Sequence, residues 1–301
     1  MRWLAVLACC LIPGVVGAAT LDFVEVVPGL LVHRGLHEDF SPGNQGGIAN
    51  LVAVVGERSV AVIDSGGSMA EGRELLAALR ERTALPVSHV VNTHVHPDHL
   101  LGNAAFPGAQ IVGHARLPRA LAERGPVYLD NMRRLLGSAA AGSALLAPAV
   151  KVAIGETARL DLGGRTLEVR AWPTAHTDTD VTVLDLHTGT LIAGDLLFME
   201  RLPVVDGSLL GWLKVMDELA AVPAQRVVPG HGPASASWPG ALEPQRRYLA
   251  GLRDAIRNSL ADGRSLSQAV DEIAPPSEGW VLVEDNHPRN VTAGYAELEW
   301  E

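Results

Sequence analysis

The sequence predicts an α+β fold of four layers, two β-sheets stacked face to face with helices outside them (an αββα sandwich). Three observations predict it. Apolar strand-like runs lead into helix-like runs, and the chain goes through that succession twice. Tight glycine turns such as Gly163-Gly164 join the strand candidates of the second half. Hydrophobic residues make up 48% of the 301, ample for one large core, so one domain over 19–301 is expected rather than two.

Taken in order, Asp22 to Val27 and Leu30 to Arg34 read as a hairpin turning at Pro28-Gly29, and the Gly-rich Ser41 to Gly47 as a surface loop. Ile48 to Val55 and Ser59 to Ile63 are strand candidates, the second ending in Asp64-Ser65-Gly66-Gly67. Met69 to Arg82 carries Leu75, Leu76 and Leu79 at helical spacing. Val87 to Thr93 and Gln110 to His114 read as strands, Leu100 to Phe106 and Leu117 to Arg124 as helices. Residues 125–150 read either as a helical insertion or as a mobile flap. In the second half, Lys151 to Ile154, Ala158 to Leu162, Thr166 to Ala171, Val181 to Asp185 and Thr190 to Ala193 are strand candidates. Leu209 to Ala221, Glu243 to Asp262 and Ser265 to Ile273 are the helices expected after them.

The first eighteen residues read differently. Arg2, the apolar run Trp3 to Val16 and the small residues Val16-Gly17-Ala18 have the grammar of a cleaved signal peptide. The run is shorter than the ~20 residues a spanning helix needs, which ranks an uncleaved anchor lower. A lipoprotein acylated at Cys9 or Cys10 ranks last. Both cysteines fall in this segment, so the remainder has neither a disulfide nor a thiolate ligand. Periplasmic or secreted protein without stable membrane insertion is the expectation. The formal charge of −10 and the lack of any Lys/Arg cluster exclude nucleic acid as a partner and leave a small-molecule substrate.

The chemistry centres on His94-Val95-His96-Pro97-Asp98-His99. On extended backbone His94 and His96 point the same way, and the turn that follows brings Asp98 and His99 to the same space. Imidazole with carboxylate suits zinc and, less exclusively, iron. Three more residues follow strand candidates and stand beside Gly or Pro: His176 in Pro173-Thr174-Ala175-His176, Asp195 after Gly194, and His231 in Pro229-Gly230-His231-Gly232. His33, His37, His89, His114, His187 and His287 lack that setting and read as structural or exposed. Asp178 and Asp180 read as turn residues.

From about Asn50 to Gly232 these motifs resemble the metallo-β-lactamase-fold superfamily. The resemblance implies that His94, His96 and His176 hold one metal, that Asp98, His99 and His231 hold a second, and that Asp195 bridges them. Two Zn²⁺ ions are the implied cofactors, with iron possible, and Asp98 and Asp195 the implied catalytic carboxylates. Asp64 matches a position that orients a ligand from behind; a turn-starting Asp is its plainer reading. True thiolate-site β-lactamases carry Cys and, three residues later, Lys where this chain has Asp195 and Phe198. The hydroxyacyl-glutathione hydrolase branch uses His, Asp and His as found here, but its basic C-terminal residues have no clear counterpart. The stretch from Asp195 to Leu213, with Asn286-His287-Pro288-Arg289-Asn290, looks closest to periplasmic zinc metallohydrolases associated with quinoprotein dehydrogenase and sulfur-oxidation systems.

The expectation is therefore an exported binuclear zinc hydrolase acting on a small ester, thioester or lactone-like substrate. Arg201 is the candidate for gripping an anionic group, with a surface ion pair as its alternative. A weak β-lactamase and an iron-dependent persulfide dioxygenase on the same fold are the competing activities. A non-catalytic binding protein is disfavoured by the complete ligand set.

Overall fold

The computed structural model of the chain describes residues 21–277 and 279–301, so the expected export segment lies outside the described residues. Two sheets stack face to face. The first contains seven strands in sequence order: β1 (Val24–Val27), β2 (Leu30–His33), β3 (Leu51–Val55), β4 (Val60–Ile63), β5 (Val87–Val91), β6 (Gln110–His114) and β7 (Val150–Val152). Pairing is antiparallel up to β4 and parallel from β4 to β7. The second sheet contains β8 (Thr157–Asp161), β9 (Thr166–Ala171), β10 (Val181–Asp185), β11 (Thr190–Phe198), β12 (Arg226–His231) and β13 (Ala236–Ser237), with β11 and β12 parallel.

Period-two alternation explains the layers. On β3, Val52 and Val54 face the other sheet, whereas Leu51 and Ala53 face the outside layer. Both sets are buried because α1 (Met69–Arg82) covers the outer face with Leu75 and Leu79. Between the sheets, Val32, Ile63 and Val91 meet Leu167, Val169, Val183 and Val228. Each such side chain contributes roughly 1.5–3 kcal/mol by leaving water. Against the far face of the second sheet lie α4 (Leu209–Ala220), α5 (Glu243–Ala261), α6 (Leu266–Glu272) and α7 (Val283–Leu298), whose core includes Trp212, Leu249 and Val291. This is the expected αββα sandwich. No helix among the described residues is long and apolar enough to cross a membrane.

α1 occupies the predicted residues because its ends are written locally. The Ser68 side chain accepts from the Glu71 N–H, and Arg80 and Arg82 stand in the last turn. Four expectations need correction. Leu100 to Phe106 is not one helix but a single α turn, α2 (Pro97–Leu100), and a 3-10 turn at Asn103–Ala105. Gly102 interrupts it by pressing its backbone against Ser65, where a Cβ would lie 2.0 Å from the Ser65 carbonyl oxygen. The helix begun at Leu117 runs on as α3 (Leu117–Leu136), straight through Pro126. Proline removes one backbone donor there, but Leu121, Met132 and Leu136 bury against Val95, Leu100 and Leu101 and carry the helix past it. Residues 125–136 are therefore helix and wall the site. β11 continues five residues beyond Ala193, by a bulge at Gly194. Finally, α7 was not anticipated, because its buried stripe includes Asn286, His287, Asn290 and Gly294 and so lacks apolar periodicity.

Candidate metal centre

The C-terminal ends of β4, β5, β11 and β12 and the loop from β9 to β10 converge on one edge of the sandwich. β5 ends at Val91, and residues 92–96 continue as loop into α2. His96 precedes proline, which holds it extended (φ −68°, ψ 148°), and Pro97 then starts the helical turn that presents Asp98 and His99. His176 comes from the β9–β10 loop, and His231 is the last residue of β12. Asp195 was expected just past a strand end, yet it lies inside β11. Gly194, at φ +52°, re-aims the chain there without ending the pairing with β12. The facing Gly230 must lack a side chain, since its Cβ would fall 1.9 Å from Asp195 Oδ1.

All seven residues come together as two groups, His94, His96, His176 and Asp195 in one, and Asp98, His99 and His231 in the other; within each, the donor atoms lie within 4.8 Å of one another. Asp195 stands between the groups. Its Oδ2 is 3.4 Å from His176 Nε2 and 3.3 Å from His231 Nε2, and its Oδ1 is 3.3 Å from His99 Nε2. Asp98 Oδ2 is 3.5 Å from Nε2 of both His99 and His231.

The outer nitrogen of each imidazole is occupied, which leaves the inner one for the cluster. His176 Nδ1 donates to the Val204 carbonyl at 2.7 Å, and His231 Nδ1 to that of Ile48 at 2.7 Å. His99 Nδ1 donates to Asp64 Oδ2 at 2.8 Å. The Thr93 hydroxyl also donates to Asp64 Oδ2, so its oxygen accepts from His94 Nδ1 at 3.0 Å. His96 is turned the other way, with Nε2 on Asp206 Oδ2 at 3.0 Å and Nδ1 facing His176.

Three inward atoms, His94 Nε2, His99 Nε2 and Asp195 Oδ1, are buried with no hydrogen-bond partner among the described residues. Buried polar atoms seldom go unpaired, and a cation between them satisfies all three. The electrostatics agree. Burial alone would raise the pKa of Asp195, but His231, His99 and His94 outweigh it and hold the carboxyl well below its usual range. Burial would lower His99, yet Asp195, Asp98 and Asp64 push it well above its ordinary value. Burial, followed by the neighbouring His99, drives His94 well down. Burial likewise takes His176 down to about 4. The site thus sets the ionised Asp195 beside His94 and His176, whose imidazoles burial keeps neutral, and beside His99, whose proton the three carboxylates around it stabilise. The nitrogen and oxygen donors fit zinc or iron, and two His/Asp clusters sharing a carboxylate fit a dinuclear centre.

Asp64 is buried behind the cluster, where it accepts from Thr93 N (2.8 Å), the Thr93 hydroxyl and His99. Two supporting residues had no sequence signal. Asn50, just before β3, donates to the Pro229 carbonyl at 2.9 Å and so ties the first sheet to the end of β12 that carries His231. Asp206 joins His96 to Arg124 of α3. Burial would raise Asp206, but the hydrogen bond and charge of His96 and then Arg124 keep it below its usual value. Asp206→Asn is expected to weaken metal binding about 10- to 100-fold, read by competition with a chromophoric chelator, with the melting temperature of metal-free protein little changed. Unchanged affinity would mean that His96 is oriented without Asp206.

Above the cluster opens a cleft of about 300 Å³. Phe40, Ile48, Met132 and Val204 give it apolar walls, and Tyr128, Arg201 and Arg289 reach it as polar groups. Phe198 is fully enclosed and stacks on His231, with ring centroids 5.0 Å apart and planes at 14°. Arg201 is only 8% exposed, which rules out the surface ion pair. Among the excluded histidines, His114 and His287 are buried on hydrogen bonds away from the cluster, to the Trp172 carbonyl and to Tyr248. Asp180 closes a turn on Thr177.

Comparison with known proteins gives a consistent picture. A family model described as the metallo-beta-lactamase superfamily matches residues 44–231. The human (Homo sapiens) protein called metallo-beta-lactamase domain-containing protein 1 is 30% identical over 215 residues, which are 64% of this chain and 65% of that protein. Among solved structures, the stereoselective inverting sec-alkylsulfatase Pisa1 from Pseudomonas sp. superposes with a TM-score of 0.70 at 18% identity, over 92% of this chain and 50% of that one. A metallo-beta-lactamase from Pontibacter korlensis gives 0.62 at 21% identity, over 77% and 99%. The chain therefore spans about half the length of the alkylsulfatase and just under two thirds of the human relative. At these identities the solved structures speak for the fold alone.

Proposed function

The chain belongs to the metallo-beta-lactamase superfamily, and from that premise we propose that it is an exported hydrolase with two zinc ions, acting on a small ester, thioester or lactone-like substrate. The observation that carries the reading is the Asp195 carboxylate set between two complete donor groups. Two bound zinc ions supply a water of lowered pKa and polarise the substrate's carbonyl oxygen. The chain's own part is positional and acid–base. Asp98, held ionised by His99 and His231 against the effect of its burial, accepts the proton of the attacking water or passes it to the leaving group. Asp64 and Asp206 hold His99 and His96 in one ring orientation. Phe198 and the apolar walls keep bulk water from the imidazoles beneath. No cysteine or activated serine is required. The reading extends to a single domain following a cleaved export segment and, within the superfamily, to the periplasmic metallohydrolases associated with quinoprotein dehydrogenases.

Two other activities compete on this fold. Persulfide dioxygenation needs one iron on two His and one Asp, whereas seven donors are grouped here, which favours two ions. For β-lactam hydrolysis the chain lacks the lysine that grips the substrate carboxylate in thiolate-site enzymes, and enclosed Phe198 stands in its place. A panel of esters, thioesters, lactones and β-lactams tested on metal-loaded protein decides among them. Turnover of the acyl substrates is expected, with penicillins and carbapenems far below the ~10⁶ M⁻¹s⁻¹ of evolved enzymes. Oxygen consumption on a persulfide with an inert acyl panel would replace the hydrolase reading.

A further inference from the structure

Arg201 is an anomaly in the cleft. A guanidinium is always charged and carries five donors in a planar fork, and this one is 8% exposed. Its Nε is buried with no partner, and no carboxylate of the described residues lies within ion-pair distance. The adjacent Glu200 does not supply the missing charge, because its carboxylate pairs with Arg34 at 3.2 Å. The single polar contact of its side chain among the described residues is Nη1 to His231 Nδ1 at 3.3 Å. That nitrogen already donates its proton to the Ile48 carbonyl at 2.7 Å, so two donors face each other.

The fold nevertheless holds the arginine there firmly. Its backbone bridges to Val281, and Leu202 N donates to the Val281 carbonyl at 3.1 Å. Asn290 of α7 accepts from Val205 N at 2.8 Å and donates to the Pro203 carbonyl at 2.7 Å. The same helix brings Arg289 to the cleft, exposed and with no ion-pair partner among the described residues. An enclosed charge without a counter-charge is destabilising, and the deficit disappears when an anion enters.

We propose that Arg201, with Arg289 on the wall of the same cleft, forms an anion subsite, and that the substrate is a small organic carboxylate whose apolar body lies against Phe40, Ile48, Met132 and Val204. This rests on the cleft being the substrate site. The planar fork of Arg201 matches a carboxylate through two parallel hydrogen bonds, and a volume of about 300 Å³ limits the ligand to a small acid. The anionic group is distinct from the bond that is cut: it is held at Arg201, on the far side of the His231 ring, while the reacting carbonyl lies over Asp98 and Asp195.

Calorimetric titration of metal-loaded protein with benzoate, benzamide and benzenesulfonate tests the subsite without any turnover, so its outcome is independent of the hydrolase panel. Benzoate is expected to bind at least about tenfold more tightly than benzamide, as suits a charge-assisted hydrogen bond. Arg201→Gln is expected to abolish that gap and Arg289→Gln to narrow it. With no ligand present, Arg201→Gln is expected to melt at or above the parent temperature, because it removes an unpaired buried charge. A gap that survives Arg201→Gln overturns the proposal, as does its absence from the parent. A lower melting temperature for the unliganded variant overturns it too, since that marks a structural arginine. Benzenesulfonate binding more tightly than benzoate overturns the carboxylate assignment.

Discussion

Asp195→Asn is expected to leave the fold intact, reduce bound zinc from two equivalents toward one, and cut turnover by more than the ~10- to 100-fold that follows loss of a merely supporting group. The carboxylate is enclosed on β11 within 3.3–3.4 Å of His176, His231 and His99, residues drawn from both donor groups. An amide of nearly the same shape removes the negative charge from between two dications. Their repulsion then expels the more weakly held ion, assigned to Asp98, His99 and His231. Zinc analysis of the purified variant, together with its circular dichroism, checks this. Two ions retained at the parent rate would make Asp195 a neighbour of the metals rather than their bridge.

The second large effect is expected at Asp64. Its carboxylate serves three buried donors, Thr93 N–H, the Thr93 hydroxyl and His99 Nδ1–H. Asp64→Ala strands all three at about 1–3 kcal/mol each, and it puts a residue less suited than Asp at φ +60°. Destabilisation of several kcal/mol is expected in chemical denaturation, with weaker zinc binding as His99 loses its anchor. Asp64→Asn keeps an acceptor and tolerates the left-handed backbone, so it should lose clearly less stability. Equal losses in the two variants would mean that neither the retained acceptor nor backbone strain matters, and that the carboxylate charge facing His99 dominates at this position.

What could be read from the sequence was what is local in it. His94 to His99 lie within one short stretch, so closeness in the chain and the proline turn sufficed to bring them together, although residues 92–96 are loop rather than strand. α1 was legible for the same reason, with its cap and apolar stripe within fourteen residues. Asp195 was legible as a group but misplaced in its element, because a glycine next to an apolar run looks like a strand end and only the β12 pairing shows it to be a bulge. Asp206 and Asn50 gave no signal, since their partners lie 110 and 179 residues away. α7 escaped because it packs through Asn290, His287 and Gly294. The burial of Arg201 follows from the long-range bridge to Val281, which no spacing rule reveals.

All of this depends on two metal ions sharing one carboxylate, and metal content tests it most directly. Elemental analysis of the purified protein, with total protein measured by amino-acid analysis, is predicted to find two zinc per chain and little iron. One tightly held iron per chain, with oxygen consumed on a persulfide substrate, would contradict the account.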